Sequence, residues 1–231
     1  MANSTENVKT VIMQQPENQI FEASNLYRKL NSPVPELSYY KTLERMVKAG
    51  ELVHLAKGMY YRPKKSRFGK VPIGEKEIID YFTSGNNGLV VGYRLYESKG
   101  LTTQVSKKIE LLSTSVREQK KNINNISISK INMILSPEVK RMIEAFEILQ
   151  NYNGIEDMNQ VAFASFMTRF AREYTDDNAD YVITHRKYKK ATIAFMKRCL
   201  DFCGVANGLE KYLSSLSEYK IPDLETIYAV T

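Results

Sequence analysis

The sequence predicts an α+β chain, mainly helical, in three segments, and three observations carry that reading. Apolar residues recur at helical spacing through most of the chain. The period switches to strand-like alternation around residues 51–62 and again within 107–131. Charge is unevenly spread: residues 1–74 hold 12 basic and 6 acidic side chains, residues 75–131 hold 9 and 6, and residues 132–231 hold 12 and 14. The predicted segments are 1–74, a small mixed α/β region at 75–135, and a helical region at 136–231.

Each element has its own signal. Residues 5–15 form a helix, with Val8, Val11 and Ile12 at helical spacing and Pro16 just beyond its end. Residues 21–23 are a short extended link. Ser24 is a good N-cap for a second helix over 25–30. Asn31 to Pro35 is a rigid turn, because Pro33 and Pro35 fix φ. Residues 36–49 form the third helix, with Leu37, Tyr40, Leu43 and Val47 on its apolar face and Gly50 closing it. Residues 51–55 and 59–62 are the strands of a hairpin that turns at Lys57-Gly58. Residues 64–74 read as a linker rich in Lys, Gly and Pro. Helices follow at 75–83 and 93–99, strands at 107–114 and 126–131, and a polar loop or hairpin tip at 117–125. From Ser136, which caps a helix with Pro at its first position, the pattern is helical: 137–152, 158–173, 189–203 and 206–217, with a tail from Ile221 crossing back over them.

The order at the N-terminal end is helix, helix, tight turn, helix, hairpin. That is the order of a winged helix-turn-helix, in which the third helix enters the major groove and the hairpin lies along the backbone or minor groove. With Leu37, Tyr40, Leu43 and Val47 facing the core, Ser38, Tyr39, Lys41, Thr42, Arg45 and Lys48 face outward. These types suit duplex DNA: Arg and Lys meet phosphates or guanine edges, and Ser, Thr and Tyr reach phosphate, base or sugar. The hairpin and its exit add Lys57, Arg62, Lys64, Lys65 and Arg67.

Other functions find less support. The chain is 43 % hydrophobic and 26 % charged, which fits a folded protein with a sizeable core. It has no apolar run near the ~20 residues of a bilayer span and no signal-peptide pattern, so the expected location is the cytoplasm. Cys199 and Cys203 lie four apart on a predicted helix without a nearby His, and read as small buried hydrophobes. Asp176, Asp177 and Asp180 read as a loop with a helix cap. The basic, aromatic run from His185 to Lys190 reads first as a solvated helix start. No Gly-x-Ser-x-Gly elbow or Gly-rich phosphate loop occurs. The chain is therefore expected not to be an enzyme and to need no cofactor or metal.

Two blocks carry a family resemblance. Ala49-Gly50-Glu51-Leu52-Val53-His54-Leu55-Ala56-Lys57-Gly58-Met59-Tyr60-Tyr61 resembles the winged-helix ending of AbiEi-type antitoxins of type IV toxin–antitoxin systems. Gly92-Tyr93-Arg94-Leu95-Tyr96, then Gly100-Leu101-Thr102-Thr103-Gln104-Val105 and Ile109-Glu110-Leu111-Leu112-Ser113-Thr114, is similar to a second block of that family. Arg94-Leu95-Tyr96 departs from it, since a small residue followed by aliphatics is commoner there. The resemblance covers roughly residues 15–135 and does not extend to the helical region. It implies an antitoxin that represses its own operon by binding an inverted repeat, with two subunits pairing on that repeat. Its functional partner would be a nucleotidyltransferase-like toxin, neutralised without a stable complex. The competing reading is a protein-binding scaffold that engages a toxin or other partner through the C-terminal helices and does not bind DNA.

Overall fold

A computed structural model describes residues 4–30 and 34–229. The chain is mixed α+β with more helix than strand, and it divides into two units, Met1–Tyr81 and Phe82–Thr231.

The first unit runs α1 (Ser4–Met13), β1 (Ile20–Glu22), α2 (Ala23–Arg28), α3 (Glu36–Lys48), β2 (Val53–Ala56) and β3 (Met59–Tyr61). A second hairpin follows, β4 (Lys64–Ser66) and β5 (Gly69–Val71), and then α4 (Glu75–Thr83) begins. Val8 and Ile12 of α1, Leu26 of α2, and Tyr39, Leu43 and Met46 of α3 share one core with Phe21, Val34 and Leu52. The predicted hairpin at 51–62 is present. The extended link at 21–23 is in fact β1, and it pairs antiparallel with β3, so the sheet order is β1-β3-β2. The reason is register. Ile20 and Phe21 lie opposite Tyr61 and Tyr60, which places apolar side chains against one another across the strands.

Three local expectations need correction. Glu22, not Ser24, occupies the N-cap position of α2, and it makes no side-chain cap bond. The "linker" at 64–74 contains the β4–β5 hairpin, both of whose strands are exposed. Of the predicted turn at 31–35, residues 31–33 lie outside the described residues, and the Tyr27 hydroxyl donates to the Val34 carbonyl at 2.7 Å.

The second unit holds β6 (Gly88–Val91), α5 (Tyr93–Ser98), β7 (Ile109–Ser113), β8 (Lys120–Ile123) and β9 (Ile126–Lys130). The helices α6 (Pro137–Asn151), α7 (Gln160–Arg172), α8 (Asp176–His185), α9 (Lys190–Phe202) and α10 (Leu224–Tyr228) follow. The sheet order is β6-β7-β9-β8, with β7 and β9 parallel and the outer pairs antiparallel. Sheet residues Leu89, Val91 and Leu112 share a single core with Phe146 of α6, Phe163 and Met167 of α7, and Met196 and Leu200 of α9. Residues 82–135 and 136–231 thus differ in composition but bury their apolar faces against each other.

The Ser136 hydroxyl accepts from Val139 N at the start of α6, as its sequence signal predicts. The predicted acidic loop is the first turn of α8. Thr175 caps that helix, and the Asp176 and Asp177 carboxylates sit where the helix dipole favours them. Asp176 accepts from Tyr174 Oη and Gly208 N, both at 2.8 Å, and Asp180 binds Lys211 and Tyr212. These acids are therefore tied into the fold. The predicted helix at 206–217 shrinks to one 3-10 turn at Leu209–Tyr212, whereas the tail does return as α10, burying Leu224 and Ile227.

Candidate nucleic-acid interface

The candidate surface is built on α3. Its outward stripe is Leu37, Lys41, Glu44, Arg45 and Lys48, all exposed, with Ser38 half-buried beside them. Lys41, Arg45 and Lys48 make no ion pair or hydrogen bond with other described residues, so three cations project from one helix face against a single acid.

The helix is rotated by about one residue from the orientation its apolar spacing predicts. Tyr39 and Thr42, expected to face DNA, are buried, and Leu37, expected in the core, is 69 % exposed. The cause is that both polar side chains find partners inside. Tyr39 Oη donates to the Ala23 carbonyl at 2.9 Å, and Thr42 Oγ1 donates to the Ser38 carbonyl one turn back at 2.8 Å. Burial, with the neighbouring Tyr40 and Tyr60, holds the Tyr39 phenol well above its ordinary pKa. The Tyr39 ring also lies 5.1 Å from Tyr27 and 5.3 Å from Tyr40, centroid to centroid.

Arg62 is also removed from the predicted set. Its guanidinium donates to the Met13 and Gln15 carbonyls at the C-terminal end of α1 and lies 3.9 Å from Glu17. A cation there satisfies carbonyls left over by the helix and complements its dipole. Lys57, Lys64 and Lys65 are exposed, as predicted. Lys57 sits at the β2–β3 turn, where Gly58 adopts φ +73° and permits a two-residue connection.

The β4–β5 hairpin is held at its base and open at its tip. Lys64 N donates to Asn18 Oδ1 at 3.0 Å, and Ile73 N donates to Tyr61 Oη at 3.3 Å. Lys65 lies opposite Lys70 across the two strands. The Lys70 ammonium occupies the space that a Cβ on Gly50 would fill, so it sits over the C-terminal end of α3. Phe68 stands exposed at the tip, an apolar ring inside a run of cations that a linker does not require.

Several residues weighed from sequence play structural parts. Cys199 is buried and its thiol is pushed up by burial, while Cys203 Sγ lies 3.8 Å from Tyr228 Oη. Within the basic run, Arg186 binds Glu147 through Nε at 3.0 Å and Nη2 at 2.8 Å, and Tyr188 stacks on Phe146 at 4.7 Å. His185 Nδ1 contacts the Tyr181 carbonyl at 2.8 Å, and the His54 ring lies 5.0 Å from Tyr60. Among the described residues, no helix is long and apolar enough to cross a membrane. No known protein family and no curated protein matches the chain.

Proposed function

We propose that this protein is a DNA-binding transcriptional regulator, and that its first unit acts as a winged helix-turn-helix. The observation that carries this reading is the stripe of Lys41, Arg45 and Lys48 on α3, a helix whose opposite face is locked into the core by Tyr39 and Leu43. The element order supports it: α1, β1, α2 and α3, then β2 and β3, whose connecting turn carries Lys57 and whose sheet β1 completes by pairing with β3. In such a module the N-terminal part of the third helix meets base edges. Leu37 and Ser38 stand there, and an apolar side chain beside a hydroxyl fits a thymine methyl and a neighbouring phosphate. Arg45 and Lys48, further along, are placed for backbone phosphates.

We further propose that the chain is the antitoxin and operon autorepressor of a type IV toxin–antitoxin pair. This part rests on the two sequence blocks that resemble AbiEi-type antitoxins. The experiment is one full-length variant, Lys41→Ala/Arg45→Ala/Lys48→Ala, read in two ways. In gel-shift titrations of the chain's own promoter, affinity should fall on the order of 10- to 1000-fold, about 1–3 kcal/mol for any residue that reads a base and less for a phosphate contact. In cells induced for a nucleotidyltransferase-like toxin encoded beside it, the same variant should still rescue growth. Unchanged promoter affinity would remove α3 from the interface. Failure of both wild type and variant to rescue would remove the antitoxin assignment and leave DNA binding standing.

The exposed lysines of the hairpins should act without sequence preference. Lys57→Ala/Lys64→Ala/Lys65→Ala is expected to weaken promoter and random duplex equally. It should also flatten the dependence of log K on log salt by about 0.9 for each phosphate no longer neutralised. An identical salt slope for wild type and variant would show that these lysines do not touch DNA.

A further inference from the structure

We infer that the β4–β5 hairpin is a second DNA-contacting element that places the Phe68 ring against the bases of an A·T-rich minor groove, partly unstacking one step. This rests on the DNA-binding reading above and names a contact that the helix and the β2–β3 turn do not supply.

The argument starts from composition. Residues 64–71 hold four cations, Lys64, Lys65, Arg67 and Lys70, and no acid. In the same eight residues stands Phe68, 86 % exposed at the turn between β4 and β5. A phenylalanine left in water forfeits most of the burial free energy of its ring, and turns favour small or polar residues. A ring surrounded by cations on a strand pair with both faces open fits a polyanion with an apolar interior better than an apolar protein surface, which would leave four cations without partners. Duplex DNA has that construction, with phosphates outside and stacked bases within.

The geometry is that of a held probe. An isolated two-stranded hairpin is marginal in water, and this one is fixed at its entry by Asn18 and at its exit by the Tyr61 hydroxyl. The Lys70 ammonium of its second strand lies against Gly50 at the end of α3. At the tip, Ser66 Oγ donates to the Gly69 carbonyl at 3.1 Å and accepts from Phe68 N at 3.2 Å, which shapes the two-residue turn. The Arg67 guanidinium lies 4.7 Å from the Phe68 ring centroid, so cation and ring point out together. Apolar wedges beside Arg or Lys are how minor-groove proteins part a base step, and narrow A·T grooves attract the accompanying cation.

The test uses the full-length chain and a duplex of alternating T·A steps, about 30 base pairs long to span roughly three helical turns, carrying 2-aminopurine, whose fluorescence rises on unstacking. A G·C-rich duplex and phosphatidylserine vesicles are the comparison probes. Wild type should brighten the T·A duplex more than the G·C-rich one. Phe68→Ala should lose the brightening and bind about tenfold more weakly, with the salt slope unchanged because no phosphate contact is removed. Phe68→Tyr should keep most of the signal. Matching thermal melts of the variants would exclude misfolding, since Phe68 buries little of its surface. Equal brightening and affinity for Phe68→Ala, or tight wild-type binding without brightening, would overturn the wedge while leaving DNA binding by α3 intact. Vesicle binding that depends on Phe68, with DNA binding unaffected, would overturn it in favour of a lipid surface. Absence of any duplex binding by wild type at about 50 mM salt, where phosphate contacts are strongest, would remove both the wedge and the reading it rests on.

Discussion

Tyr39→Ala is expected to destabilise the first unit by about 3–5 kcal/mol, the range for removing a buried aromatic ring. Tyr39 has no exposed surface and packs against Tyr27, Tyr40 and the core around Leu43. Loss of its ring therefore leaves a cavity that helix, strand and turn residues cannot all collapse to fill. Tyr39→Phe keeps the ring and removes only the bond to the Ala23 carbonyl, at a cost of about 1 kcal/mol. In the gel-shift assay of the proposed function, the Tyr39→Phe variant should match wild type once folded, because position 39 does not reach the surface. Circular dichroism against urea gives the stabilities, and gel shifts under folding conditions give the affinities. A Tyr39→Phe chain of native stability but without DNA affinity would place the hydroxyl at the interface and return α3 to the orientation its apolar spacing predicts.

The second large effect lies in the other unit. Arg186→Ala should cost about 3–5 kcal/mol, because it leaves the Glu147 carboxylate buried with its charge uncompensated. Glu147 is 7 % exposed and its Oε1 receives both guanidinium bonds, with the Tyr188 hydroxyl at 3.3 Å. Burial and the Glu147 charge together raise the Tyr188 phenol, so the hydroxyl stays protonated and remains a donor. Replacing both partners, Glu147→Met with Arg186→Met, should recover most of the stability, since an apolar pair carries no desolvation penalty. Denaturation of the two single variants and the double variant closes the cycle. Near-native stability for Arg186→Ala would mean that water reaches Glu147 and that the run at 185–190 is the solvated face its charge suggests. Because the chain forms two units, each transition is to be assigned before its free energy is taken.

Much of the architecture is legible along the chain. Ser136-Pro137-Glu138 announces α6, Gly50 announces the end of α3, and Lys57-Gly58 announces the β2–β3 turn; each acts through neighbours in sequence. The missed elements have weaker or masked local signals. Gly88-Leu89-Val90-Val91, which forms β6, is a short apolar run of four residues, too few to show a strand or helix period. Lys120–Ile123 is polar because β8 is an edge strand; its pairing is supplied by β9 alone, with Ile123 its one buried side chain. The opening of α8 reads as a loop because its first three residues are Asp, Asp and Asn, although Thr175 followed by two acids is a helix start.

The candidate interface divides in the same way. Charge placement, the order of elements and the outward positions of Lys41, Arg45, Lys48, Lys57, Lys64 and Lys65 follow from the sequence, because strongly hydrated groups stay in water wherever the chain folds. The fate of amphipathic side chains, by contrast, is set by contacts distant in the chain. Tyr39 and Thr42 turn inward because carbonyls of Ala23 and Ser38 accept their protons, Arg62 is taken by the end of α1, and Leu37 is left outside by the resulting rotation. Period alone cannot rank Tyr40 against Tyr39, since both are apolar rings with a hydroxyl. The partner that satisfies the hydroxyl lies 16 residues away in the chain, and it becomes a neighbour only when the first unit closes around its core.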